Sequence, residues 1–334
     1  MREHPLDSKG ADKMKPPLVS VVMPTYHSER HLEEAIDSIR NQTYKNIEFI
    51  IVSDEPTTKE IQILDYMMLT DNRVKVIYHW KRAGLITSLN EGFEVAKGKY
   101  IARMDADDIS YPKRIEKQIE YMELHPEVGV CGTCTIHEWN GISEKVFCPT
   151  NNASIIAMMM MLGCSICHPS VMIRTEFIRT IPGPYAGKFQ YAEDYYLWVR
   201  CIGKTTFHNL EDTLLVYRSD GTNICSVNKS KQESELLQLK EMAADTIGLP
   251  TQKNKSLDEW LHELVIENQH SHKLPLESFN RIVAERWYNE CLLITYKGLF
   301  AWDLFWASPL SEYIPMPIVR KAKFLGACLL RVRL

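Results

Sequence analysis

Tyr100-Ile101-Ala102-Arg103-Met104-Asp105-Ala106-Asp107-Asp108 runs an apolar strand into three carboxylates within four positions. Carboxylates this close repel one another, so folding them together is costly unless hydrogen bonds, solvent or a divalent cation offset the charge. The segment reads as a buried strand whose end is built to hold a cation. A purely local reading competes with it: an Asp-rich helix start, in which Asp108 caps a helix that Pro112 helps to open.

Upstream, the same pattern recurs. Leu18-Val19-Ser20-Val21-Val22-Met23 is a β-branched apolar run stopped by Pro24, which predicts a buried strand. A helix is expected over about 29–41, with Leu32, Ala35, Ile36 and Ile39 on one face. Residues 47–52 read as a second buried strand ending in Ser53-Asp54, followed by a helix over about 58–69. Strand 74–78, helix 85–96 and strand 99–104 continue the alternation, which predicts an α/β fold with a mostly parallel sheet and helices on both faces. Ligands on such sheets bind at the carboxyl ends of the strands. That rule gathers Pro24-Thr25-Tyr26, Asp54, Asp105 and Asp107 along one rim. No Gly-rich dinucleotide fingerprint follows the first strand, which argues against a nicotinamide enzyme.

Downstream, a helix over 153–162, a strand over 168–173, a helix opening at Glu193-Asp194 and strands near 205–208 and 214–217 complete the unit. Beyond about residue 228 the pattern turns helical, broken at Pro250, Pro275, Pro309, Pro315 and Pro317. The expected organisation is therefore a polar leader (1–17), a catalytic domain (18–227) and a helical C-terminal region (228–334).

The 334 residues, 45% hydrophobic and 25% charged, suffice for one sizeable α/β domain and an appendage. A net charge of −4 argues against a general nucleic-acid binder, because phosphate neutralisation requires a basic face. Nine cysteines, an odd number and mostly in apolar surroundings, favour a reduced compartment. Cys131-Gly132-Thr133-Cys134 and Cys164-Ser165-Ile166-Cys167 have the spacing of a zinc or redox pair, but the first follows Val128-Gly129-Val130 in what reads as a buried strand. Residues 1–17 show no apolar signal-peptide core, and no apolar run approaches the roughly 20 residues of a membrane span.

Taken in order, Pro24-Thr25-Tyr26, Ser53-Asp54, Gly84-Leu85, Asn90-Glu91-Gly92, Asp105-Ala106-Asp107-Asp108, His168-Pro169-Ser170 and Ala192-Glu193-Asp194-Tyr195 resemble the family 2 glycosyltransferases of GT-A fold. The resemblance covers roughly 18–225, and 84–108 looks most like bacterial enzymes that build lipopolysaccharide or capsule. It implies an inverting, metal-dependent hexosyltransferase that takes a nucleotide sugar such as UDP-Gal, UDP-Glc, UDP-GlcNAc or UDP-GalNAc. The acceptor would be a hydroxyl of a growing glycan or glycolipid.

By that resemblance Asp107 is the ligand for Mn²⁺ or Mg²⁺, Asp105 lies near the ribose and sugar, Tyr26 stacks on the base and Asp54 accepts a hydrogen bond from it. Pro24 belongs to the same nucleotide-sugar rim, and Arg82, with Lys81, precedes the Gly84 turn and could meet diphosphate. Asp194 is the expected general base, with Glu193 beside it; both also suit a helix first turn, where the dipole favours acids.

Three departures from the family pattern stand out. His27 replaces the usual Asn, Ser53-Asp54-Glu55-Pro56 replaces Asp-Asp-Gly-Ser, and Asp220 stands where many members carry a metal-binding His. An Asp can ligate either ion, so Asp220 is a candidate ligand, against the alternative of a solvated turn before Gly221. His168 reads either as a hydrogen-bonded structural residue or as a ligand or acceptor contact. The Met158–Met161 run reads as core filler.

The last residues carry Arg320, Lys321, Lys323, Arg331 and Arg333 without an acid, with Leu325, Leu329 and Val332 on another helical face. This suits peripheral attachment to the inner face of the cell membrane from the cytoplasm, or a helix docked on its own domain. Two other functions compete with transfer. A nucleotidyltransferase also uses acidic metal sites but wants a Gly- and basic-rich first turn, which Pro24-Thr25-Tyr26-His27 is not. A catalytically silent sugar-binding scaffold draws its support from Asp220.

Overall fold

The structure is a computed structural model that describes residues 15–139, 142–146, 160, 164–219, 229–248, 255, 259–260 and 263. Its first half alternates strand and helix: β1 (Val19–Thr25), α1 (Leu32–Arg40), β2 (Ile47–Asp54), α2 (Thr58–Thr70), β3 (Val74–His79), α3 (Leu85–Val95) and β4 (Tyr100–Arg103). Then follow β5 (Ile109–Ser110), α4 (Arg114–Leu124), β6 (Val128–Trp139), β7 (Ile142–Val146), a 3-10 turn (His168–Ser170) and β8 (Met172–Arg174). The chain continues through α5 (Thr175–Ile178), α6 (Glu193–Cys201), β9 (Thr206–Ser219) and α7 (Lys229–Ile247).

One sheet holds the strands in the order β3-β2-β1-β4-β8-β6-β9-β5, with β7 paired to β6. β3, β2, β1 and β4 are mutually parallel. β8 then runs antiparallel to both β4 and β6, so the sheet is mixed beyond β4. Both β1 and β2 are buried along their whole length, which is why they read as continuous apolar runs. Their alternating side chains feed two cores. Val19, Val21 and Met23 pack with α1 residues Leu32, Ala35, Ile36 and Ile39 on one face. Val22 packs with Leu89 and Phe93 of α3 and Trp198 of α6 on the other. Leu239, Ala243 and Ala244 of α7 are buried in that second core. α3 lies so close to β1 that a Cβ on Gly92 would stand 2.5 Å from Val22 Cγ1.

Three expectations change. Residues 168–173 are a 3-10 turn followed by a short strand, because Pro169 has no amide to give a ladder. The two strands expected near 205–208 and 214–217 are one, β9, whose register against β6 shifts between Thr133 and Thr135. Asp108 does not cap the helix after Pro112; α4 opens at Arg114, and Asp108 accepts a hydrogen bond from the Arg218 amide of β9 at 2.9 Å. The helix expected over 153–162, apart from Met160, and the basic tail lie outside the described residues.

Among the described residues two non-glycine residues have positive φ, His27 and Glu55, both at 51°, just past the carboxyl ends of β1 and β2. A left-handed backbone costs an L-residue about 1 kcal/mol or more relative to glycine. Glu55 is exposed, so little packing opposes its replacement. Glu55→Gly is expected to raise stability by about 0.5–1 kcal/mol, read as a higher midpoint in urea or heat. A lower midpoint would show that Glu55 carries no such strain.

Candidate active site

β4 ends at Arg103, and the turn after it brings the carboxylates of Asp105, Asp107 and Asp108 together, with ligand atoms all within 4.8 Å of one another. Among the described residues this is the one group of acids, histidines or cysteines with that spacing. Asp105 and Asp107 are half-buried and Asp108 is fully buried. The Oδ1 atom of Asp108 accepts from Arg218, while Oδ2 is buried with no hydrogen-bond partner. Burial, and then the charges of Asp105 and Asp107, push the Asp108 carboxyl well above the usual carboxylate range. A buried acceptor without a donor, beside two more carboxylates, suits a hard divalent cation with oxygen ligands. Asp105 and Asp107 are its half-open members.

Arg103 faces this cluster from the strand. Its side chain is 4% exposed and pairs with Asp105, and its Nε has no hydrogen-bond partner. Burial alone would strip the guanidinium of its proton more readily, but the neighbouring acids, Asp105 first, reverse this and raise its pKa. Arg114, wholly buried on α4, donates from Nη2 to the Arg103 carbonyl at 2.5 Å and to the Val171 carbonyl at 3.3 Å. This joins the end of β4 to the entry of β8. Burial brings the Arg114 pKa down to about 10.

The first turn of α6 supplies Glu193 and Asp194. Glu193 is buried, and burial first, then the Asp194 charge, push its carboxyl above the ordinary range. Asp194 is half-buried and also raised, by burial, although its Oδ1 accepts from the Tyr195 amide at 2.7 Å. Arg103 lowers both acids and Asp105 raises Glu193 and Asp194 alike, so the α6 start and the carboxylate cluster share one electrostatic field. Residues about ninety positions apart are thus brought to one place. His168 sits behind them, its Nε2 at 2.7 Å from the Tyr185 hydroxyl; burial, then Arg103, holds it well below its usual pKa, hence neutral.

On the other side of the rim, Tyr26 stacks on His27 with ring centroids 4.0 Å apart, and Arg82 Cζ lies 3.9 Å over the same ring. These groups cover the ring, so a nucleobase reaching it would take the place of one of them. Asp54 is 4% exposed and accepts from the amides of Ala83 at 2.7 Å and Gly84 at 2.8 Å. It therefore ties β2 to the turn that opens α3. Pro24 is buried within β1, opposite Val52. Asp220 lies outside the described residues. Sequence reasoning did not single out Arg103, Arg114 or Tyr185; Arg103, a lone cation in the apolar run Tyr100-Ile101-Ala102-Arg103-Met104 ahead of the acids, was the available signal.

Because folding raises the Glu193 pKa, the folded state binds that proton more tightly than the unfolded chain. Its contribution is then unfavourable above the ordinary Glu range and grows toward neutral pH. Glu193→Gln is expected to lose less melting temperature than the wild type between about pH 5 and about pH 8. Parallel pH profiles for the two proteins would remove the buried-acid assignment.

Residues 20–159 match the family described as glycosyl transferase family 2. An uncharacterized glycosyltransferase of Methanocaldococcus jannaschii is 37% identical over 211 residues, 62% of this chain and 72% of that protein. The O-antigen biosynthesis glycosyltransferase WbnJ of Escherichia coli is 36% identical over 225 residues, 66% of this chain and 84% of that protein. Among solved structures, S. aureus TarS 1-349 in complex with UDP superposes with a TM-score of 0.53 at 17% identity, covering 81% of this chain and 82% of that one. A mannosyltransferase of Pyrobaculum calidifontis, in complex with GDP-Man and Mn²⁺, gives 0.54 at 14% identity, covering 90% and 85%.

Proposed function

The chain belongs to glycosyl transferase family 2, with the GT-A fold, and on that premise we propose an inverting enzyme that moves a hexose from a UDP-sugar to a hydroxyl of a growing surface glycan. Membership in a glycosyltransferase family sets aside the nucleotidyltransferase reading. The observation that carries the proposal is the pairing of two acid groups across Arg103: the Asp105, Asp107 and Asp108 cluster with its unpartnered Asp108 oxygen, and the Glu193-Asp194 turn. The O-antigen relative and the UDP complex of TarS support the glycan acceptor and the UDP donor.

In this reading Asp107, with Asp105 and Asp108, would hold Mn²⁺ or Mg²⁺, and Asp220 would join them. The ion, when bound, neutralises charge on the diphosphate leaving group. Tyr26 receives the base in exchange for Arg82, whose freed guanidinium turns to the diphosphate; Asp54 and Pro24 shape the same rim. The acceptor oxygen attacks the anomeric carbon as the bond to the diphosphate breaks, and the hydroxyl proton passes to Asp194. Glu193, kept protonated by burial, leaves Asp194 as the member of the pair that carries charge.

For attachment, no helix among the described residues is long and apolar enough to cross a membrane. We assign contact with the cytoplasmic membrane face to the basic tail, residues 318–334. Its removal should abolish flotation with anionic liposomes, at roughly 1 kcal/mol per lost charge; unchanged flotation would rule the tail out.

Asp107→Ala is expected to abolish transfer and to weaken nucleotide-sugar binding in Mn²⁺, measured as UDP release and by calorimetry. Full activity in EDTA would sink the metal assignment. Asp194→Asn should keep donor binding while kcat drops by on the order of 10² or more. Near wild-type turnover would move the base elsewhere, with Glu193 first in line.

A further inference from the structure

Glu60 is wholly buried at the third position of α2, and its carboxylate serves two segments at once. Its Oε2 accepts from the Thr57 amide at 3.0 Å, and the Thr57 hydroxyl accepts from the Glu60 amide at 3.2 Å, which closes a capping box on α2. Its Oε1 faces away from the helix, toward the end of β1. There it accepts from the Thr25 hydroxyl at 3.1 Å and from the Ser28 amide at 2.9 Å. Capping α2 needs only the first oxygen; the second holds the two residues that bracket Tyr26-His27.

That bracketed pair is the turn with His27 at φ 51° and with the Tyr26 ring under Arg82. Two exposed aromatic rings on a left-handed turn have little packing of their own to fix them. The buried carboxylate anchors the turn at both ends, and a glutamine could not replace it. With one acceptor oxygen and an amide that only donates, a glutamine at this position could satisfy the helix side or the turn side but not both.

We propose that Glu60 is a positioning residue for donor binding: it fixes the Tyr26-His27 turn so that the Tyr26 ring is presented to the nucleobase. This rests on the reading of Tyr26 as the base platform. The test measures Kd for UDP, GDP, CDP and ADP with Mn²⁺ by calorimetry, and the nucleotide that wild type binds tightest serves for the variants. Tyr26→Ala should weaken it by on the order of tenfold. Glu60→Gln and Thr25→Val should weaken it by about fivefold, the worth of a lost buried hydrogen bond. Thr57→Val removes the helix cap and the Thr57 hydrogen bond to the Glu29 carboxylate but leaves both Glu60 oxygens with their donors, so it should lower the melting temperature yet leave Kd within about twofold of wild type.

If Tyr26→Ala weakens binding and Glu60→Gln does not, the positioning role is wrong while the donor reading stands. If Tyr26→Ala has no effect, or wild type binds none of the four, the donor reading fails and this inference with it. Equal weakening by Thr57→Val would assign the effect to α2 stability and overturn the proposal. Should Glu60→Gln fail to fold, Thr25→Val decides, because it deletes a turn-side donor and leaves the helix side intact.

Discussion

A guanidinium buried among carboxylates sets the terms for the rest of this site. Taking one ion out of water costs several kcal/mol even after relaxation, so Arg103 is tolerated in the interior only because Asp105 pairs with it and Asp108, Glu193 and Asp194 lie within its field. The dependence is mutual. Without that cation, the acids at the end of β4 and the start of α6 would repel one another across a poorly solvated space. The second buried guanidinium, Arg114, adds a carbonyl clamp that fixes where β4 stops. Its lowered pKa reflects burial first, and the nearby Arg103 charge adds to it.

The topology explains why this charge collects at one place. β4 is the last strand of the parallel half, and β8 beside it runs the other way. At that change of direction the chain leaving β4 is not obliged to cross back over the sheet at once. It has room for the Asp105–Asp108 turn, and the antiparallel β8 brings the His168 turn up against the same rim. The parallel strands β1 and β2 end on the same side, so their carboxyl-end turns, with His27 and Glu55 in left-handed conformations, complete the rim.

Acids at this rim do different physical jobs that one-letter reading cannot separate. Asp54 holds the Ala83-Gly84 amides, Glu60 holds two loops, and one oxygen of Asp108 holds β9. Asp54 and Glu60 accept from turn amides and so fix those turns, while Asp108 accepts from a strand amide. Asp107, the unpartnered oxygen of Asp108, and Asp105, which also pairs with Arg103, are the acids grouped closely enough to hold a cation. The division matters for binding, since a preformed platform loses less conformational freedom when a ligand arrives.

The sequence by itself determined the parallel half and the family. The runs Val19 to Met23, 47–52 and 100–103 are apolar apart from Ser20, Glu48 and Arg103, too continuous for a half-solvated strand, so they read as central strands. The ordered motifs from Pro24 to Asp194 carried the family resemblance and pointed to Asp105, Asp107, Glu193 and Asp194 as candidates. Local pattern could not show that residues 206–217 form one continuous strand, because a register shift against β6 interrupts its alternation, nor that Asp108 bonds β9 rather than a helix. The roles of Arg103, Arg114 and Glu60 were hidden as well. A charged residue in a strand or a helix first turn reads as solvated until its burial is known. Burial is a property of the packed layers around it, so only the tertiary structure decided which charges face water and which must find partners inside.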